Sequence, residues 1–208
     1  DVDAVAGLLT MRERQPFAVW ATTYVRRVIL ANPIFGVLDR SLVRFETAGH
    51  AFEPLPGLKC RAFAAPGKPP LYLEQIEGIG PAEGASIGLR ITDAGGKSLV
   101  FLPSCAEITP DVVGAIDCAD VLFFDGTMYT DDEMIRSGEG QKTARRMGHV
   151  AMTGSGGAIE ALRRVKAGAR YFVHINNSNP VLNRASPERR AIEQAGWRIA
   201  EDGMRIDV

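Results

Sequence analysis

Apolar and polar residues follow one another along this 208-residue chain in two periods, and the switches between them mark its elements. In "AVAGLLTMRER" the residues Val5, Leu8, Leu9 and Met11 fall roughly on one face, which predicts a helix over 4–14. "PFAVWAT" reads as a buried strand, and "TYVRRVILAN" as an amphipathic helix stopped before Pro33. From Leu42 to Glu74 the pattern is β-like, with "LVRFETA", "LKCRAFAA" and "LYLE" separated by Gly and Pro. "IEGIGPAEGA" carries a loop signal. "SIGLRITDAGGKSLVFLP" alternates on either side of "DAGG", which predicts a hairpin.

The second half changes period more slowly. Thr109 is placed to cap a helix over "TPDVVGAI", with Pro110 at its first position. "ADVLFFDGT" and "ARYFVHINNSNP" are continuous apolar runs ending in polar residues, as expected of strands buried on both faces. "GGAIEALRRVKAG" predicts a helix closed by Gly168. "SPERRAIEQAG" predicts another, capped by Ser186, with Pro187 at its first position and Gly196 after its last turn. "GWRIAEDGMRIDV" predicts a final strand and turn. No repeat or linker interrupts the chain, so a single domain over 1–208 is expected. Its class is α/β with mixed sheets, because hairpins and crossovers alternate.

Composition narrows the function without naming it. Hydrophobic residues make up 46% and charged residues 24% of the chain, the proportions of an ordinary globular protein. A formal net charge of −1 supplies no field that would draw the molecule to nucleic acid or anionic lipid. No apolar run has the length of a membrane span. Cys60, Cys105 and Cys118 are too few and too scattered for a disulfide framework, which fits a reducing, cytoplasmic setting.

The candidate chemistry lies at strand ends and in tight loops. His174 ends "RYFVH", Asp125 ends "VLFFD", and His149 follows Gly148 in "RRMGHVAMTGSGG". Two imidazoles and a carboxylate form a natural donor set for zinc or iron, and two His with one carboxylate suit Fe(II) oxygen chemistry. Each residue also has an ordinary reading. A strand-end His is commonly a hydrogen-bonded structural residue, and Asp125 before Gly126-Thr127 can be a turn acid. Asp1 and Asp3 can be helix-entry carboxylates. "TGSGGAI" could cradle an anion but matches neither standard phosphate-loop spacing, so a plain approach to a helix is favoured. Arg145 and Arg146 could bind an acidic substrate or form a solvated face. Cys105 has no adjacent base in sequence and reads as an inert buried thiol.

Taken in order, these stretches resemble the metallo-β-lactamase superfamily. In that family a strand ends in T-H-x-H-x-D-H-x-x-G, and a Gly-His, an acid and a final strand-end His complete a metal site. "DVDAVAG" is similar to the second half of that motif: Asp1 falls on the second His, Asp3 on the Asp, Ala4 on the last His and Gly7 on the Gly. His149 falls on the Gly-His and His174 on the final His. Cys105 stands where the bridging acid would be, and "FFDGT" looks like the acid-x-Thr of the tRNA-processing branch. Because Ala4 cannot ligate, ordinary di-zinc hydrolysis is not expected.

The acid-rich version of the motif, together with "VAGLLTMRERQPF", "FFDGTMYTDDEMI", "RRMGHVAMTGSGG", "HINNSNPVL" and "SPERRAIEQAGW", is similar to the branch that serves pyrroloquinoline quinone (PQQ) biosynthesis. That resemblance implies an αββα sandwich of two mixed sheets flanked by helices. It also implies a preceding N-terminal portion bearing a structural zinc, so that this chain would be the C-terminal part of a longer one. The implied activity is iron-dependent hydroxylation, by O2, of the tyrosine ring of a cross-linked Glu–Tyr precursor. A carrier of PQQ toward the periplasm and a metal-dependent hydrolase are the alternatives. Fe(II) is the expected metal, with zinc as the substitute. Asp1, Asp3, His149 and His174 are the expected ligands, and Asp3, Asp125 and His149 the catalytic residues. Arg145 and Arg146 are the expected substrate contacts. The precursor and O2, with other proteins of the pathway, are the expected partners, and a homodimer is allowed; no nucleic acid and no membrane span are expected.

Overall fold

The computed structural model describes residues 2–11, 15–68 and 84–208, the first three of them by backbone alone. Helix α1 (Val2–Met11) opens the described chain, followed by β1 (Phe17–Ala21) and α2 (Thr23–Ala31). The Thr22 side chain caps α2 by accepting from the Val25 amide. Pro33 does stop this helix, and it then starts a short 3-10 turn over Pro33–Val37. β2 (Val43–Thr47) pairs with β1 in parallel.

The larger sheet has seven strands: β3 (Phe52–Leu55), β4 (Leu58–Ala64), β5 (Ile87–Thr92), β6 (Ser98–Leu102), β7 (Val121–Asp125), β8 (Ala169–Val173) and β9 (Arg198–Ile199). They lie side by side in chain order. The pairs from β3 to β6 are antiparallel and those from β6 to β9 are parallel. This is the mixed sheet expected, whereas the smaller sheet is a purely parallel pair among the described residues. β3 was not anticipated, because "FEPL" contains Pro54. Its edge position explains the tolerance, since an edge strand leaves one row of amides unpaired. "LYLE" lies outside the described residues.

The core forms where β6, β7 and β8 meet α3 (Pro110–Ile116) and α7 (Pro187–Gln194). Val100, Leu102, Leu122, Phe124 and Phe172 are fully buried, with Val112 and Ile116 from α3 and Ile192 from α7. Trp197 closes this layer, stacked on Phe172 at 4.2 Å and edge-on to Phe124 at 6.3 Å. Both helix starts match expectation: Thr109 accepts from the Val112 amide, and Ser186 from the Arg189 amide.

The helix expected over "GGAIEALRRVKAG" is corrected. Only Ala158–Ala161 (α6) is helical. Beyond it the amides of Arg163 and Val165 bond only three residues back, to Glu160 and Leu162, and the Lys166 amide donates to the Asp117 carboxylate at 2.7 Å. Gly168 is not a helix cap. Its amide donates to Ala119, and a Cβ there would lie 2.3 Å from the Asp120 carbonyl oxygen, so glycine is needed for close backbone approach. Two further single turns, α4 (Glu133–Arg136) and α5 (Ala144–Met147), carry loops that the periodicity left unassigned.

Candidate functional site

Parallel strands that begin together also end together. Leu102 of β6 lies beside Phe124 of β7, and Asp125 lies beside Val173 of β8. The residues at or just after the ends of these strands, Asp125, His174 and Cys105, therefore gather at the carboxyl edge of the sheet, where α/β proteins place their sites. His149 arrives from elsewhere. It follows α5 through Gly148, which takes the left-handed conformation at φ 95°. The next amide, of Val150, donates to the Cys105 carbonyl at 2.7 Å. The Cys105 peptide thus holds both neighbours, because its own amide donates to Asp125 Oδ2 at 2.9 Å.

Asp125 is fully buried and Thr127 is its companion. Oδ1 accepts from the Thr127 amide at 3.0 Å and from the Thr127 hydroxyl at 2.7 Å. Oδ2 lies 2.8 Å from Nδ1 of His149. The Thr127 hydroxyl is also 3.0 Å from Nδ1 of His149 and 2.8 Å from Nδ1 of His174. Ligand atoms of Asp125, His149 and His174 all fall within 4.8 Å of one another.

The proton inventory decides how these groups face each other. An ionised carboxylate only accepts, and a hydroxyl has one proton and two lone pairs. With Asp125 ionised, the Thr127 hydroxyl donates a hydrogen bond to it and accepts from the imidazoles, which assigns a proton to Nδ1 of each ring. That places the lone pair for a metal on Nε2 of His149 and of His174. The centre of the triangle is filled by the Thr127 oxygen, so Asp125 orients the rings and does not itself offer the open ligand position. Such an outer carboxylate fixes the tautomer and raises the basicity of a metal-binding imidazole. The donor set fits a divalent first-row ion: two imidazoles, with a buried carboxylate behind them.

The loop that carries His174 is fastened to the loop after β7. His174 itself has φ 58°, a left-handed conformation that is costly for a residue with a Cβ and that surrounding bonds must maintain. The Asn176 amide donates to the Thr127 carbonyl, and the Gly126 amide to the Val173 carbonyl. Buried Asn179 donates through Nδ2 to the carbonyls of Gly126 and Thr127. Glu133, buried on α4, accepts from the Tyr129 amide at 2.6 Å and from the Ser178 hydroxyl at 2.5 Å. Gly126 has no room for a side chain, since a Cβ would lie 2.7 to 2.9 Å from Ile175, Phe172 and Met152.

Of the residues expected from sequence, the structure brings together Asp125, His149 and His174. Asp1 and the side chain of Asp3 lie outside the described residues; only the backbone of Asp3 is placed, near the start of α1. The arginine pair divides. Arg145 lines a cavity with His149, whereas Arg146 is absent from that lining and its carbonyl accepts from Lys68 Nζ. Thr127, Glu133 and Asn179 were missed as contributors; only the acid-x-Thr spacing hinted at the first of them. Cys105 acts through its backbone. Its thiol is fully buried and donates to the Glu107 carbonyl, and burial pushes its pKa up to about 12. Cys60 is also buried and raised, while Cys118 is exposed. A thiol reagent at neutral pH is therefore expected to label Cys118 alone in the folded protein, and all three cysteines after denaturation. Rapid native labelling of Cys105, read by mass spectrometry, would contradict this packing.

Residues 1–175 match the beta-lactamase superfamily domain. The chain is 51% identical over 209 residues to the coenzyme PQQ synthesis protein B of Methylobacterium sp. (strain 4-46), covering 99% of this chain and 70% of that protein. It superposes on the 1.98 Å crystal structure of Zn2+-bound PqqB from Methylobacterium extorquens with a TM-score of 0.94. There the identity is 45%, over 100% of this chain and 70% of the other. A diphosphatase of the PhnP family shares the fold alone, at TM-score 0.57 and 20% identity, over 91% of this chain and 57% of that one.

Proposed function

This chain belongs to the coenzyme PQQ synthesis protein B family within the β-lactamase superfamily, and from that membership we propose that it acts in PQQ biosynthesis as a metal-dependent enzyme. The finer reading is hydroxylation of the tyrosine ring of a cross-linked Glu–Tyr precursor by O2, with Fe(II) as the working metal. The observation that carries it is the pair of imidazoles held with Nδ1 inward by Asp125 and Thr127. His149 and His174 hold the metal through Nε2, joined by Asp1 and Asp3. When bound, iron supplies activation of O2 next to an electron-rich phenol. Asp125 keeps His149 in one tautomer, and Thr127 passes that constraint to His174. Ala4 has no donor atom, so that position of the motif would supply no ligand. Residues 1–208 act as one domain in this reading.

The test is single-turnover chemistry on the full-length protein. The anaerobic protein is loaded with Fe(II), then given the cross-linked Glu–Tyr compound, O2 and ascorbate for the two electrons that insertion of one oxygen atom requires. The expected product is heavier by one oxygen, taken from labelled O2, and is absent with His174→Ala. Hydrolysis of phosphodiesters or esters with zinc and no ring oxidation would place the chain among hydrolases. Tight PQQ binding without turnover would make it a carrier.

A further inference from the structure

His149 also lines a cavity of about 270 Å³ whose walls carry both signs of charge. Arg145, Asp131, Asp132 and the segment Gly154–Gly157 all line it. Among the described residues the Arg145 guanidinium has no hydrogen-bond or ion-pair partner; only its backbone amide is engaged, with Asp131 Oδ1 at 2.9 Å. Asp132 Oδ1 accepts from the Thr130 hydroxyl, so each aspartate keeps one oxygen for another donor. In the glycine loop the Gly156 amide donates to Glu160, but the amides of Gly154 and Ser155 have no acceptor among the described residues.

The larger cavity beside His174 differs. Its Arg184 and Arg189 are already paired with Glu201 at 2.6 and 3.2 Å, so its charges neutralise each other. In the His149 cavity they do not. A plain anion there would meet two aspartates, and a plain cation would meet a guanidinium. A ligand carrying one charge of each sign satisfies both kinds of lining group.

We propose that this cavity receives the zwitterionic head of an α-amino acid unit. Arg145 and the loop amides take its carboxylate, Asp131 and Asp132 take its ammonium, and the side chain is directed toward His149. That the ligand is a substrate rests on the reading of an amino-acid-derived precursor given above. The inference adds which part of that substrate is recognised, and where.

The test measures binding alone, by NMR titration of the zinc-loaded full-length protein without O2, so it is blind to whether the protein hydroxylates anything. Three probes share one ring and differ in the head: L-phenylalanine, phenethylamine and 3-phenylpropanoate. None has a phenol that could seek the metal. L-Phenylalanine is expected to bind about tenfold or more tightly than either truncated probe. Arg145→Gln should erase its advantage over phenethylamine, and Asp132→Asn should reduce its advantage over 3-phenylpropanoate. Unchanged zinc stoichiometry and thermal midpoint in the variants show that the fold is intact. Equal affinity for the three probes, no binding of L-phenylalanine, or a preference untouched by Arg145→Gln would each overturn the proposal. Hydroxylation could fail while the preference survives, and the preference could fail while hydroxylation proceeds.

Discussion

Asp125→Asn is expected to weaken divalent-metal binding by about 10- to 100-fold while the chain stays folded. The substitution preserves shape and removes charge. Oδ1 and Oδ2 of Asp125 receive four donors: the amides of Cys105 and Thr127, the Thr127 hydroxyl and Nδ1 of His149. An amide can accept at only one of its two ends. Its NH2 group must face at least one N–H or O–H that formerly donated to oxygen, leaving a buried donor unsatisfied. That costs about 1–3 kcal/mol. The His149 ring then loses the acceptor that fixes its proton on Nδ1, and its Nε2 lone pair is no longer reserved for a metal. Asp125→Ala removes both oxygens and should be worse, since all four donors lose their acceptor. Competitive chelator titration checks the affinity and thermal unfolding checks the fold. An Asp125→Asn protein with wild-type metal affinity would show that the carboxylate is only a turn acid.

Trp197→Ala is expected to cost about 3–5 kcal/mol of stability. Trp197 is 1% exposed and its ring lies on Phe172 and against Phe124. Those two residues precede Val173-His174 and Asp125, so the indole also supports the strand ends that present the site. For a chain of this size each kcal/mol lowers the midpoint by about 2–4 °C. A fall on the order of 10 °C in calorimetry is therefore expected, against little change for Leu55→Ala, since Leu55 is 62% exposed on edge strand β3. Equal effects for the two substitutions would refute the packing described.

Asp125, His149 and His174 were legible in sequence because each sits where an apolar run or a glycine delivers a polar side chain to an edge. Thr127 was not singled out, because a threonine two residues after a strand is ordinary. Only the fold shows its hydroxyl 2.8 Å from a histidine 47 positions away. Glu133 and Asn179 were hidden for the same reason, as their partners are loops joined only in space. The misread helix after Gly157 has a local cause. Its 3.6-residue period was genuine, but after Ala161 the amides of Arg163 and Val165 bond only three residues back, and the Lys166 amide goes to Asp117, nearly fifty residues earlier. The hairpin around "DAGG" and the caps at Thr109 and Ser186 were correct because their hydrogen bonds stay within a few residues. Strand β3 was not resolved within the β-like stretch 42–74, since sequence does not reveal which strand will lie at a sheet edge and tolerate Pro54.

The assignment of one proton to Nδ1 and one metal site to Nε2 in each of two rings can be read directly. The described chain has three histidines, His50, His149 and His174, so long-range 1H–15N spectra of protein labelled at histidine contain few signals. His50, which is exposed, serves as the internal reference. On titration with zinc, Nε2 of His149 and of His174 should move to the metal-bound range while their Nδ1 nitrogens stay protonated and His50 does not respond. Binding through Nδ1, or a spectrum in which neither ring responds to the metal, would contradict the account.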